Sequence, residues 1–192
     1  MGVPRISTGP MTVDEFYLFT DSRPDEEKWE LIDGEPVLDA SPSGLHQVII
    51  GNVLVALVQR EREGALPWRA IPGIGIRASE TSRPEPDVMV IPKNLVGPDR
   101  FKRDTENALV LFEVTSPSTS SRDMKWKRAT YTSLLSLARY VVIAQDAVDV
   151  VVFARDNGFA EQRYRSTRDG IEFPALGVSL PLSEIYHDTG LS

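Results

Sequence analysis

The chain has 192 residues, of which 41% are hydrophobic and 26% are charged, a composition typical of a globular protein with a hydrophobic core. It contains no cysteine, which excludes disulfides, zinc–thiolate sites and a thiol nucleophile. The formal net charge of −7 argues against a broad basic surface for nonspecific nucleic-acid binding.

The N-terminal segment 1–10 contains Gly, Pro and Ser and is predicted to be a flexible arm, and residues 11–192 are predicted to form a single domain. The first residues lack the apolar core of a signal peptide. The longest apolar runs are far too short to cross a membrane. We therefore expect no membrane contact and a cytoplasmic location, with which the absence of cysteine is compatible.

The first half of the chain shows local signals for two helices and a hairpin. Residues 12–15 read Thr-Val-Asp-Glu, a capping box that predicts a short helix ending near Thr20. A polar loop follows, and then a hairpin over residues 30–38 with Asp33-Gly34 at its turn. A long helix is predicted from about residue 44 to 62, because Ile50, Val53, Leu54, Leu57 and Val58 recur at the spacing of one helical face.

The second half alternates strands with one more helix. Residues 87–91 and 109–115 are nearly continuous in apolar side chains, as expected of central strands covered on both sides. The pattern predicts an α/β fold, borderline with α+β, in which helices flank a central mixed sheet. The full set of predictions after residue 64 is strands at 70–78, 87–91, 109–115, 140–144, 148–154, 159–166 and 177–180, and a helix at 122–138.

Two carboxylates stand in these apolar strands. Asp87 opens the run Val-Met-Val-Ile, and Glu113 interrupts a second apolar run. A carboxylate in a buried strand is costly unless it is paired or binds a metal. If the two strands are antiparallel neighbours, the start of one meets the end of the other, and the carboxylates come together. Strand alternation then puts Leu109, Leu111, Glu113 and Thr115 on one face.

Lys127 is predicted to lie on the face of its helix that packs against the sheet. It shares the stripe of Met124, Lys127, Tyr131, Leu134, Leu135 and Ala138. A lysine within a packing face needs a reason, and neighbouring carboxylates supply one. Simpler explanations remain for each residue. Asp123 and Lys127 could form a surface pair worth about 0.2–0.5 kcal/mol. Asp87 could be a turn residue, and Glu113 could neutralise a structural arginine.

Two carboxylates and a lysine suggest metal-assisted hydrolysis of a phosphodiester. Carboxylate oxygens favour Mg²⁺ or Mn²⁺, which can polarise a phosphoryl oxygen and lower the pKa of an attacking water. Lys127 could orient that water or stabilise negative charge. Glu30 could point toward the same cleft. His46, at the start of the long helix, could bind a phosphate or carry a proton, although a structural hydrogen bond is the commoner role of a lone histidine.

Six segments together resemble a known family. They are Thr-Val-Asp-Glu-Phe (12–16), Trp-Glu-Leu-Ile-Asp-Gly-Glu (29–35), Ser-Pro-Ser-Gly-Leu-His-Gln (41–47), Arg-Pro-Glu-Pro-Asp-Val (83–88), Phe-Glu-Val-Thr-Ser-Pro-Ser-Thr (112–119) and Asp-Met-Lys-Trp-Lys with Tyr131. The pattern, from about residue 11 to 186, resembles the Uma-two family of restriction-endonuclease-like proteins in the PD-(D/E)XK nuclease superfamily.

The resemblance implies a nuclease fold and roles for the matching positions. Asp87 and Glu113 would be ligands of Mg²⁺ or Mn²⁺, joined by the backbone carbonyl of Val114. The superfamily lysine usually stands two residues past the acid, where this chain has Thr115, so Lys127 would take its role from the helix. The resemblance also favours Glu30 and His46 as site residues, although residues 140–144 lack the aspartate that the family often carries.

The leading hypothesis is therefore a metal-dependent DNA endonuclease, with a homodimer as the arrangement that reaches both strands. The alternative is an inactive nuclease-fold protein that binds nucleic acid or a protein partner. A toxin-like or mobile-element accessory protein is a third, weaker option. Three basic clusters could contact nucleic acid or be solvated faces. They are Arg100, Lys102 and Arg103; Arg122, Lys125, Lys127 and Arg128; and Arg163, Arg165 and Arg168.

Overall fold

A computed structural model of the chain describes residues 9–93, 102–116 and 121–192. Most of the predicted N-terminal arm lies outside the described residues. The helices are α1 (Val13–Thr20), α2 (Gly44–Glu63), α3 (Ser121–Ser133) and α4 (Leu182–Ile185). The strands are β1 (Trp29–Ile32), β2 (Glu35–Leu38), β3 (Trp68–Pro72), β4 (Gly75–Ile76), β5 (Val88–Pro92), β6 (Asp104–Thr105), β7 (Val110–Thr115), β8 (Arg139–Ala144), β9 (Val150–Ala154), β10 (Glu161–Tyr164), β11 (Gly170–Phe173) and β12 (Val178–Pro181).

A six-stranded mixed sheet forms the centre, in the order β10-β9-β8-β7-β5-β3. The β7–β8 pair is parallel, with α3 as its crossover, and the other neighbours in the sheet are antiparallel. This arrangement confirms the predicted α/β fold with helices flanking a central mixed sheet. Three two-stranded pairs, β1–β2, β4–β6 and β11–β12, lie beside it.

The two faces of the sheet bury separate hydrophobic clusters because successive strand residues point to opposite sides. On one face, α2 packs Ile49, Val53 and Leu57 toward Phe112. On the other face, Leu111 and Tyr140 pack with α3. Glu113, two residues after Leu111, follows the α3 face, as the alternation predicts.

Local signals in the first half of the chain are confirmed. Thr12 and Glu15 form the reciprocal capping box at the start of α1. Asp33 and Gly34 both have positive φ, at 49° and 84°, which is the conformation of a two-residue hairpin turn. The Ser43 side chain caps α2, and Gly64 ends it.

The structure corrects two predicted elements. The predicted strand 70–78 is two strands, β3 and β4, in different sheets. At Gly73, between them, an added Cβ would lie 1.5 Å from the Pro86 carbonyl oxygen, so the backbones cross closely there. The predicted helix 122–138 ends at Ser133, which leaves Leu135 94% exposed instead of on the packing face.

Two short strands and a helix escaped prediction. Strand β6 pairs in parallel with β4 from an earlier part of the chain, β11 pairs with β12, which follows it closely, and α4 begins directly after β12. No helix within the described ranges is both long and apolar enough to span a membrane.

Candidate active site

A cavity of about 410 Å³ opens at the end of the sheet where β5 begins and β7 finishes. The start of α2 and the first turns of α3 approach this end from opposite faces. The cavity is lined mainly by polar side chains. The lining residues are Lys28, Asp39, Ala40, Ser41, Pro42, Ser43, His46, Gln47, Glu85, Asp87, Glu113, Val114, Thr115, Ser116, Asp123, Met124, Lys127 and Gln145.

Strand register brings Asp87 and Glu113 opposite each other. Strands β5 and β7 are antiparallel with Val88 beside Phe112, and the Asp87 N–H donates to the Phe112 carbonyl at 3.1 Å. The Asp87 Oδ2 accepts a hydrogen bond from the Val114 N–H at 2.7 Å. The predicted meeting of the two carboxylates is confirmed, and Asp87 is held by the chain that carries Glu113.

Lys127 lies between two buried carboxylates. Its Nζ is 3.1 Å from Glu30 Oε1 and 3.2 Å from Glu113 Oε1. The Tyr131 hydroxyl, one helical turn further along α3, donates to Glu113 Oε1 at 2.8 Å. Lys127 is only 7% exposed, so the alternative of a simple surface pair with Asp123 is wrong. Tyr131 and Lys127 together orient the Glu113 carboxylate, and both contact the same oxygen.

Glu30 reaches the cluster because the β1–β2 hairpin is tied to the segment before Asp87. Leu31 exchanges backbone hydrogen bonds with Arg83. The Glu85 N–H donates to Glu30 Oε1 at 2.7 Å, which directs this carboxylate toward Lys127. Glu30 thus reaches Lys127, but its side chain is almost completely buried and is not one of the residues that line the cavity.

The other half of the site is more open and contains His46 and Lys28. His46 Nε2 lies 3.3 Å from Asp87 Oδ1. Lys28 Nζ lies 3.9 Å from the same Asp87 oxygen, 3.9 Å from Asp39 Oδ2 and 4.0 Å from Glu85 Oε1. His46 lies in the first turn of α2, in agreement with its predicted position at the start of the long helix.

Electrostatics differ between the two halves. Burial raises the pKa of Glu113 to about 8, and the nearby charges of Asp87 and Glu30 add to this against the opposing effect of Lys127. Burial alone would lower the pKa of Lys127, but Glu113 and Glu30 hold it well above its usual value. Burial would also raise the pKa of Asp87, but His46 and the Val114 N–H reverse this and lower it.

The five predicted side chains thus lie at one end of the sheet in two sets: Glu30, Lys127 and Glu113 form one, and His46 and Asp87 form the other. Sequence reasoning missed Lys28, Glu85 and Asp39 as lining residues. A signal was present for two of them, since Lys28 precedes Glu30 by two positions and Glu85 precedes Asp87 by two. Residues two apart on an extended chain share a side.

The basic clusters mostly have structural partners. Arg163 forms a two-pronged pair with Asp149 at 2.5 and 2.7 Å. Arg128 donates to the Phe159 carbonyl and covers the Phe153 ring. Arg100 lies outside the described residues, as does the side chain of Arg122. Among the described members, Lys127 is the one that enters the cavity lining.

The donor set at the cavity is compatible with a hard cation. Five carboxylates line it, from Asp39, Glu85, Asp87, Glu113 and Asp123, against the two ammonium groups of Lys28 and Lys127. Within the described ranges, no group of three or more His, Asp or Glu side chains is spaced to enclose a metal by itself. A cation held by Asp87 and Glu113 would therefore need oxygens from the main chain and water. Val114 is suited to this, because its N–H, and hence its carbonyl, faces the Asp87 side of β7.

Comparison with known proteins identifies a family and similar solved structures. Residues 13–183 match the model of the Uma2 family, described as "Putative restriction endonuclease". A putative nuclease of the DUF820 group from Anabaena variabilis has a similar structure, with a TM-score of 0.73 over 92% of this chain and 98% of the other, at 16% sequence identity. No functionally curated protein matches the sequence.

Proposed function

This chain belongs to the Uma2 family of restriction-endonuclease-like proteins, and from this membership and the site geometry we propose that it is a metal-dependent nuclease that hydrolyses phosphodiester bonds in DNA. One observation carries the proposal. A lysine, Lys127, and two carboxylates, Glu30 and Glu113, converge within 3.2 Å beside Asp87 at the base of a polar cavity. A structural ion pair alone does not require such a cluster to open onto a cavity.

The proposed metal ligands are the carboxylates of Asp87 and Glu113 and the main-chain carbonyl of Val114, and the proposed ion is Mg²⁺ or Mn²⁺. Both cations prefer oxygen ligands and keep several waters, which suits a site with few protein donors. When bound, such an ion polarises a phosphoryl oxygen and acidifies a water. Glu113 has its Oε1 engaged by Lys127 and Tyr131, which leaves Oε2 as the oxygen for a cation.

Lys127 is proposed to act as a charged donor and not as a base. Glu30 and Glu113 hold its pKa well above its usual value, so the ammonium keeps its protons at neutral pH. Preorganised cationic donors stabilise charge that develops on a phosphoryl group. Glu30 acts as a positioning residue, since it contacts Lys127 and is fixed by the Glu85 N–H.

The test is a cleavage assay on plasmid DNA, DNA oligonucleotides and RNA with Mg²⁺, with Mn²⁺ and with EDTA. We expect metal-dependent cleavage of DNA. Isosteric variants D87N, E113Q and K127M should each lower the rate by at least about a hundredfold, as for removal of a metal ligand or a transition-state donor.

A matched control is available in Glu61, which is as buried as Glu113 but pairs with Lys93 and Arg69 away from the cavity. E61Q should retain activity. Absence of cleavage with every substrate and both metals would contradict the proposal. Binding without cleavage, unchanged in D87N, would support the inactive nucleic-acid-binding alternative.

Two copies of the chain would let two such sites reach the two strands of a duplex at once, so a homodimer is part of the proposal for duplex substrates. Sedimentation equilibrium with and without duplex DNA measures this. Nicking by a monomer would restrict the proposed activity to one strand at a time.

A further inference from the structure

The second lysine of the cavity, Lys28, differs from Lys127 in how it is held. Lys127 is 7% exposed and lies within 3.2 Å of two carboxylate oxygens. The Lys28 side chain is 41% exposed, and its three carboxylate neighbours are each 3.9–4.0 Å from Nζ. These separations exceed the usual length of a charge-assisted hydrogen bond. Lys28 is therefore a loosely held cation at the mouth of the site.

Two of the three carboxylates around Lys28, those of Glu85 and Asp87, have closer partners of their own. Glu85 accepts from Arg83 Nη1 at 2.7 Å. Asp87 is engaged by His46 and by the Val114 N–H. Neither carboxylate therefore depends on Lys28 for its position. The lysine stem has four flexible carbons and its ammonium has three rotatable donors, so it can turn to a new acceptor at small cost.

The position of Lys28 in the cavity indicates where its ammonium could meet a new acceptor. Lys28 approaches Asp87 from the hairpin side of the cavity, whereas Lys127 approaches Glu113 from α3. A phosphate placed at the proposed metal ligands would meet two ammonium groups. That of Lys127 is fixed at the base of the cavity, and that of Lys28 lies at its mouth. A cation bound at Asp87 would also repel the Lys28 ammonium and favour its movement toward an incoming anion.

We propose that Lys28 is a substrate-binding residue that contacts a backbone phosphate of the nucleic acid at the mouth of the cavity. This inference rests on the proposed nuclease function. It assigns the phosphate contact to the half-exposed Lys28, because Lys127 is buried between two carboxylates and is not free to move toward a substrate. Phosphate contacts carry no sequence information, so the contribution of Lys28 should be the same for every sequence.

The experiment measures binding as well as cleavage. A fluorescein-labelled DNA oligonucleotide, single-stranded and as a duplex, and an RNA of the same sequence are titrated with protein in Ca²⁺ over a range of salt concentrations. The variants are K28M, K28R and K93M. Lys93 is the matched control because its side chain is 37% exposed, it pairs with Glu61 at 3.2 Å, and it follows the end of β5 opposite to Asp87.

Loss of one phosphate contact lowers the slope of log K against log salt by about 0.7 for a single strand and about 0.9 for a duplex. We expect this change in K28M, with an affinity loss of about tenfold from the missing charged hydrogen bond. K28R should keep the wild-type slope, and K93M should leave both slope and affinity unchanged. In the cleavage assay K28M should raise KM more than it lowers kcat.

The two proposals fail in different ways. Wild-type binding without cleavage would contradict the proposed nuclease activity, yet the salt slope of K28M would still test Lys28. A K28M slope equal to that of the wild type, or an equal change in K93M, would overturn the assignment of Lys28. Absence of salt-dependent binding by the wild type to all three oligonucleotides would overturn it as well.

Discussion

The two halves of the cavity differ in how firmly their charged side chains are held by their partners. In the inner half, Glu30, Lys127, Glu113 and Tyr131 are almost completely buried and are joined by contacts of 2.8–3.2 Å. In the outer half, Lys28 meets its carboxylates at 3.9–4.0 Å and is half exposed. Buried charges must keep their partners, because each unpaired one is costly, whereas exposed charges can change partners freely. The inner half should therefore govern stability and the outer half should govern ligand binding.

The largest expected effect is on the free energy of unfolding, and it should distinguish Lys127 from Lys28. K127M leaves two buried carboxylates without their shared cation and should lower the free energy of unfolding by about 3–5 kcal/mol. K28M removes a half-exposed ion pair and should lower it by less than about 1 kcal/mol. Urea unfolding of both variants in EDTA measures the difference. Equal losses would remove the distinction between the halves.

The pH dependence of stability should come from Glu113. Its pKa is about 8 in the folded protein, whereas the ordinary value of 4.5 applies to the unfolded chain. Between these two pH values the folded state therefore binds more protons than the unfolded state. Its stabilising contribution is complete below pH 4.5 and is lost as the pH rises through about 8. The slope within this window is at most about 1.4 kcal/mol per pH unit.

The E113Q variant tests this assignment, since glutamine does not titrate. In EDTA, its free energy of unfolding should change less between about pH 5 and pH 8.5 than that of the wild type. The difference between the two proteins should develop over roughly the pH range in which Glu113 titrates. An unchanged pH profile in E113Q would mean that another group binds the proton.

Two neighbouring tyrosines provide a smaller, matched comparison. The Tyr131 hydroxyl donates to Glu113, while the buried Tyr140 hydroxyl has no hydrogen-bond partner among the described residues. Y131F should lower the free energy of unfolding by about 1–3 kcal/mol, the cost of leaving the buried Glu113 Oε1 without this donor. Y140F should be neutral or slightly stabilising. The two rings are in edge contact, 5.1 Å between centroids, so packing is similar in both variants.

The expected effect on stability at His46 is smaller than at Lys127. H46A removes one partner of Asp87, which still accepts from the Val114 N–H, and should lower the free energy of unfolding by about 0.5–1.5 kcal/mol, the typical net contribution of one hydrogen bond. It should weaken Mn²⁺ binding by roughly tenfold, as for loss of a residue that orients a metal ligand. Isothermal titration calorimetry with Mn²⁺ reads the second effect, and a stability loss as large as that of K127M would assign His46 to the inner half.

Local patterns predicted much of this site. The apolar runs around Asp87 and Glu113 are strands, and the helical spacing of Lys127 and Tyr131 turned both toward the sheet. Beyond Ser133 the same stripe was right at Leu134, which is buried, and wrong at Leu135, which is exposed. There the chain leaves the helix, and Arg155, from after β9, donates to the Leu134 and Leu137 carbonyls. A periodicity read along one segment contains no information about such a distant donor.

The split of the predicted strand 70–78 has a similar origin. Gly73 is the point where the chain passes so close to Pro86 that no side chain fits. The glycine was visible in the sequence, but the neighbour that requires it is thirteen residues away. Lys28 and Asp39, in the outer half of the cavity, were missed for a similar reason, since they become site residues only when the hairpin is folded onto the start of β5.

By itself, the sequence determined the mixed α/β fold, the two flanking helices and the placement of Asp87 and Glu113 on buried strands, because strand alternation, helical period and the cost of a buried carboxylate act over a few residues. Only the tertiary structure decided that Lys127 lies between Glu30 and Glu113, and that Lys28 stays loose at the rim. Those differences depend on burial and on distances between segments far apart in the chain, and the effect of a charge depends on both.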